Sequence, residues 1–264
     1  MHPLPLIDIG LNLGHDSFDH DRAEVLRAAR LAGVVQMILT GTSVEASQKA
    51  AQLAADHPGV LYSTAGVHPH DAHSYGVDTS VRLHSLCMQP QVVAIGETGL
   101  DFYRNFSTPA EQELAFAEQL ELATMTGLPV FLHEREAHER FKAILGEQRA
   151  KLKRAVLHCF TGSKQELFAC LDQDLYIGIT GWICDERRGV ELQSLIKDIP
   201  LNRLMLETDA PYLTPRTLKP KPHTRRNEPA NLPWVLAKVA ECLHKPAAEI
   251  AGITTANARV FFDL

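Results

Sequence analysis

Eight short runs, each almost continuously apolar, recur along the whole chain, and longer stretches with helical spacing lie between them. The runs occupy residues 4–10, 34–41, 60–67, 92–97, 129–134, 154–159, 175–180 and 203–208. A strand with one wet face alternates polar and apolar residues. A run apolar throughout belongs to a strand buried on both faces, as in a parallel sheet covered by helices. Parallel neighbours must be joined by a crossover, and the intervening segments have helical character. Residues 21–32 repeat apolar positions at helical spacing and stop at Gly33, a suitable residue just past a helix end. Ser43 is placed to cap 44–56, where Glu45 and Lys49 stand four apart. Thr108, Pro109 and Glu111 read as cap, first helical residue and capping-box partner of a helix reaching about 126. Ser163 and Glu166 repeat that pattern for 164–173.

Eight strand-then-helix units in 264 residues, with no linker and no composition shift, predict an α/β fold. The expected architecture is a TIM-type (β/α)8 barrel forming one domain over residues 1–264. An open doubly wound sheet would carry G-x-G-x-x-G after its first strand, and the chain has none. At 45% hydrophobic and 22% charged residues, without an apolar run near the roughly 18 needed to span a bilayer, no membrane association is expected. The opening MHPLPLIDIG lacks the basic-then-apolar pattern of a secretory signal, and five scattered cysteines form no C-x-x-C pair. A reducing cytoplasm is therefore expected. The net charge of −6 weighs against a nucleic-acid partner held by charge alone, but a bound divalent cation can carry a phosphate contact.

In such a barrel, function gathers where the strands end. Those ends hold His68 and His70 after the third run, Glu97 after the fourth, and His133 and His158 closing the fifth and sixth. Asp209 follows the eighth. Taken singly, each is an ordinary strand-end histidine or turn-forming acid. Together they are divalent-metal ligand types delivered to one rim, where packing alone would favour Val, Ile or Leu. A metal so held polarises a phosphoryl oxygen and lowers the pKa of a coordinated water, and Asp209 is placed to take the proton. No G-x-S-x-G elbow supports a serine nucleophile.

The blocks GVHPH (66–70), AIGETGLDF (94–102), FLHEREAHERF (131–141), AVLHCFTG (155–162), ETDAPYLTP (207–215) and RRNEPANL (225–232) follow in order. In them the chain resembles the TatD-type metal-dependent deoxyribonuclease family. The resemblance implies a barrel phosphoesterase that digests single-stranded DNA from 3′ to 5′ with magnesium support, RNA being left open as a substrate. Carried over by position, Glu97, His133 and His158 are metal ligands, Asp209 is the catalytic carboxylate, also able to touch a metal, and His68 lies near the substrate phosphate. The Glu/His/His set would equally suit zinc or manganese. Many members carry His-x-His after the first strand. Here Gly10 and Asn12 stand at those places, with Asp8 before them, and His15 is out of spacing. One well-held metal is expected, with a second weak or absent.

Several features are open on sequence alone. Arg135, two residues past His133, could grip a phosphate or pair with Glu134, Glu136 or Glu139. Arg216, Lys219, Lys221, Arg225 and Arg226 form a Pro-interrupted basic loop after the last strand, where Arg225 and Arg226 could hold a nucleic-acid backbone. An aromatic among Phe102 and Tyr103, beside Asp101 and Arg104, could stack a base or pack in the core. Trp182 could line the site or open the next helix, and Cys159 reads as a buried strand residue facing away from the pocket. A monomer is the default. The rival readings are a hydrolase of an amide, lactone or aminoacyl ester using the same apparatus, and a binding protein whose site has decayed.

Overall fold

A computed structural model describes all residues except 1, 2, 221 and 222, so Lys221 of the basic loop lies outside the described residues. The strands are β1 (Leu6–Leu11), β2 (Val34–Leu39), β3 (Leu61–Ala65), β4 (Val92–Asp101), β5 (Val130–Arg135), β6 (Ala155–Leu157), β7 (Tyr176–Ile179) and β8 (Leu204–Leu206). Their sheet order is their sequence order. Helices α1 (Arg22–Leu31), α2 (Val44–Ala55), α3 (Val77–Cys87), α4 (Pro109–Thr126), α5 (His138–Gln148), α6 (Lys164–Asp172) and α7 (Val190–Leu195) form the connections, and α8 (Leu232–Leu243) and α9 (Ala247–Phe262) close the chain. This is the TIM-type (β/α)8 class. Among the described residues, no helix is long and apolar enough to cross a membrane.

Two compact units interleave along the sequence. The first comprises the segments ending at Ile38, Cys159–Lys164 and Ile177–Leu264. In it β7 pairs in parallel with β8, and a bridge joins Leu11 to Ala210, just past β8. Its core includes Ile9, Phe18, Ile177, Leu204, Val239 and Phe261, all fully buried. The second comprises Leu39–His158 and Gln165–Tyr176, where β3, β4, β5 and β6 pair consecutively in parallel. Phe116 of α4 stacks on Phe141 of α5 over that sheet, ring centroids 5.3 Å apart.

The caps behave as their chemistry requires. The Ser43 side chain accepts from Ala46 N–H at the start of α2. Thr108 and Glu111 close a reciprocal capping box, and α4 ends at Gly127 in the left-handed conformation. β4 runs longer than expected, to Asp101, and β5 reaches Arg135. Pairing between β4 and β5 continues to Asp101↔Arg135, which places Glu97 and His133 inside strands instead of at their ends.

β4 is not a regular strand. Its register with β5 shifts between Ile95↔Val130 and Thr98↔Leu132, so Gly96 and Glu97 sit in an irregularity of the bulge kind. Gly96 has φ +136°, and a Cβ there would fall 2.2 Å from the Phe131 carbonyl oxygen. Only glycine fits. Gly96→Ala is therefore expected to destabilise by about 2–4 kcal/mol in urea unfolding. Gly252→Ala, on an exposed face of α9 with nothing within 4 Å of the added Cβ, is expected to stabilise by about 0.5–1 kcal/mol. Equal effects at the two positions would contradict this reading of the bulge.

Candidate metal centre and active site

The bulge carries Glu97 into a ring of imidazoles. Its backbone N–H donates to Gly41 O at 2.7 Å, and its side chain is buried. One carboxylate oxygen, Glu97 Oε1, lies 2.8 Å from His158 Nε2, 2.9 Å from His133 Nδ1 and 3.3 Å from His68 Nε2. His133 Nδ1 and His158 Nε2 are 3.4 Å apart. Donors each about 2.1 Å from a common ion are separated by about 3.0 Å across an octahedral edge and about 3.4 Å across a tetrahedral one. The Glu97–His133–His158 triangle has those dimensions, so these residues fit a divalent metal.

His68 also falls within 4.8 Å of the donor atoms of Glu97 and His133, and by distance alone could be a ligand. Its hydrogen bonds give it a different part. His68 Nδ1 accepts from His70 N–H at 3.1 Å, which puts the ring proton on Nε2. That nitrogen is then a donor toward Glu97 and toward any anion bound there. Burial pushes the His68 pKa down to about 4, so the ring is neutral.

His133 has the opposite arrangement. Its Nδ1 faces Glu97, while its Nε2 lies 3.5 Å from Asp101 Oδ2. A carboxylate behind a histidine orients the ring and raises its basicity as a ligand. Asp101 also meets His70 Nε2 at 2.8 Å and accepts from Arg104 N–H at 2.9 Å. Asp101 thus organises two rings, a role the sequence reading did not assign to it. The available signal was its position four residues after Glu97 on one strand.

Two glutamines, seven residues apart and hence on one face of α4, hold this framework from behind. Gln119 exchanges bonds with the Val67 backbone, accepting from its N–H at 2.8 Å and donating to its carbonyl at 3.0 Å, next to His68. Gln112 does the same for Asp101, at 2.8 and 3.2 Å, and donates to Ser107 O at 2.8 Å. Both side chains are fully buried and act as surrogate strand neighbours.

In the first unit, Asp209 follows β8 in the left-handed region, φ +53°. Its N–H donates to Gly10 O at 2.9 Å, and Asn12 N–H donates to Ala210 O at 2.7 Å. Asn12 Nδ2 donates to Asp209 Oδ1 at 3.3 Å. Asn12, at one of the His-x-His places, thus turns its amide nitrogen to Asp209 as a donor. Asp8, buried beneath, accepts from Thr208 N–H at 2.9 Å and from the Thr208 hydroxyl. Burial pushes the Asp8 carboxyl up to about 7 despite those donors.

The other candidates divide. Arg135 lays its guanidinium over the Tyr103 ring, 4.3 Å from the centroid. Arg226 is engaged with Asp21 at 2.6 Å and Glu228 at 2.7 Å, and also donates to Ser17 O. Arg225, its neighbour, is exposed. Arg216 pairs with Glu186 at 2.6 Å. Trp182 lies in a single 3-10 turn, Gly181–Cys184, with Arg188 over its ring at 4.4 Å, so it does not open α7. Cys159 is half-buried beyond the end of β6, with φ +47°, and is not the buried strand residue expected.

Proton equilibria in the cluster are linked to metal binding. Burial would raise the Glu97 pKa, but the imidazoles of His158 and His68 around it and the bond from His133 outweigh it and hold the carboxyl well below its ordinary range. Burial would lower His133, but Asp101 and Glu97 outweigh it and raise the ring above 6.5. A metal on His133 must displace that proton. The affinity for Mn2+ or Zn2+ is therefore expected to rise at least about tenfold from pH 6 to pH 8, with proton release visible in calorimetry across buffers of different ionisation enthalpy. An affinity independent of pH would contradict the assignment of His133.

Comparison with known proteins shows the family of the chain. The family model for TatD related DNase matches residues 7–263. The 3′-5′ ssDNA/RNA exonuclease TatD of Cronobacter turicensis is 56% identical over 97% of this chain and 97% of its own. The protein of the same name from Klebsiella pneumoniae is 54% identical over 98% of both chains. The crystal structure of YJJV, a TatD homolog from Escherichia coli K12, superposes with a TM-score of 0.89 at 29% identity over 98% of both chains. The chain belongs to the TatD related DNase family.

Proposed function

We propose that this chain is a metal-dependent hydrolase that digests single-stranded DNA, and RNA as well, from 3′ to 5′. The observation that carries the reading is the Glu97–His133–His158 triangle, whose edges of 2.8, 2.9 and 3.4 Å match the first shell of a divalent cation. The names of relatives above 50% identity supply the substrate class and polarity. Glu97, His133 and His158 hold the metal, with Mg2+ as the ion of turnover and Zn2+ or Mn2+ as alternative occupants of a site rich in imidazole. Such an ion polarises a phosphoryl oxygen and lowers the pKa of water.

The protein's own groups do the rest. His68, with its proton on Nε2, donates to a non-bridging oxygen of the scissile phosphate. Asp209 takes the proton from the attacking water as the phosphodiester bond breaks, with Asn12 setting its orientation. Asp209 follows β8, at the C-terminal strand ends where active sites of this fold class gather. Arg135 and Arg225 steady the strand's phosphates, and Arg226 contributes by fixing the loop that carries Arg225. With Gly10 in β1 and Asn12 just past it, where many family members carry His-x-His, one metal is held well and a second weakly or not at all. A monomeric protein acting in the cytoplasm as a single domain over residues 1–264 accords with the free thiols and the span of the family match.

The test is digestion of 3′-labelled and 5′-labelled single strands with Mg2+ or Mn2+. Stepwise loss from the 3′ end is expected for the wild type, with Glu97→Ala and Asp209→Asn slower by at least about 10³-fold. Failure of the metal-loaded wild type to digest either strand would move the reading to a hydrolase of another bond. Undiminished activity in both variants would show the site to be misassigned.

A further inference from the structure

The loop between β4 and α4 displays aromatic rings that the mechanism does not use. Phe106 is 69% exposed and Tyr103 56% exposed, in a loop held too firmly for this to be slack. Gln112 Nε2 donates to the carbonyls of Asp101 and Ser107. Asn105 N–H donates to Asp101 O, and Arg104 N–H to Asp101 Oδ1. The buried Ser107 hydroxyl donates to His70 O at 2.9 Å and accepts from His73 N–H at 3.0 Å. A phenylalanine fixed in water by so many bonds gains nothing for the fold, whereas a pre-ordered ring loses little entropy when a ligand covers it.

The position of the ring indicates the ligand. Phe106 meets His70 edge-on with centroids 4.8 Å apart, and His70 in turn lies 4.1 Å from His68. A row of rings therefore leads outward from the Glu97 cluster and ends in an aromatic face open to solvent. Arg104 stands in the same loop, and Arg135, the last residue of β5, stacks on Tyr103, so two cations flank the rings. An open aromatic face beside positive charge, next to a phosphate-handling centre, is how proteins hold unpaired bases.

We propose that Phe106 is the platform on which an unpaired base of the substrate strand stacks when its phosphate reaches the cluster. The proposal rests on the nuclease reading above and extends it, because a base inside a duplex has its faces covered by its stacked neighbours, so the ring favours single strands. Tyr103, backed by Arg135, extends the platform to the adjoining base.

The test compares wild type and Phe106→Ala on a single-stranded oligonucleotide and on the same strand with abasic residues at its 3′ end. Phe106→Ala is expected to raise KM on the normal strand about tenfold, the size of one base–aromatic stack, with the loss falling on KM and not on kcat. Wild type on the abasic strand should show the same rise, and variant and abasic strand together should add nothing further. Phe106→Trp should restore the wild-type KM. Mn2+ affinity, measured alongside, should match wild type, separating a lost stack from a disturbed metal site. If Phe106→Ala digests the normal strand with the wild-type KM, the stacking proposal is overturned and the nuclease reading survives. If wild type digests neither strand, both fall.

Discussion

One carboxylate oxygen organises the second unit. Glu97 Oε1 sits within 3.3 Å of three imidazole nitrogens, in a buried position where an isolated charge would be costly. It reaches that position because β4 departs from regular pairing at Gly96, where Phe131 O leaves no room for a Cβ. The glycine, the bulge and the carboxylate form one device. The glycine lets the chain leave the sheet register, and the departure aims the side chain that a straight strand would send elsewhere.

Around that oxygen His68 and His133 are differentiated by what lies behind each. His68 is bonded at Nδ1 by a backbone N–H, which makes its other nitrogen a donor. His133 is backed by Asp101, which makes its inner nitrogen a good ligand. Similar rings thus take unlike roles, fixed by partners several ångströms from the chemistry. Gln112 and Gln119 carry the same logic outward, since each satisfies backbone groups beside a site residue from within an apolar helix face. Replacing either with an apolar residue would leave those groups unsatisfied in the core.

The fold class and the residue types that gather around Glu97 were legible because each leaves a mark at fixed positions. Doubly buried strands are apolar throughout, caps have local signatures, and Glu and His are conspicuous at strand ends. What was not legible depended on geometry across strands. The extension of β4 to Asp101 follows from its pairing with β5, which no local run of residues encodes. Asn12 stands where many family members carry a histidine, and its bond to Asp209, 197 residues away in sequence, is a contact no local run encodes. The pairing of Arg226 with Asp21, more than two hundred residues away in sequence, is likewise invisible in any local stretch. The exposure of Phe106 in a rigid loop also emerges only once Gln112 and Ser107 are seen gripping that loop.

The central claim is that the Glu97–His133–His158 triangle is a metal's first coordination shell. Anomalous diffraction from crystals soaked in Mn2+ tests it most directly. The account expects one strong peak within about 2.3 Å of Glu97 Oε1, His133 Nδ1 and His158 Nε2. No peak there, or two fully occupied sites in the absence of substrate, would contradict it.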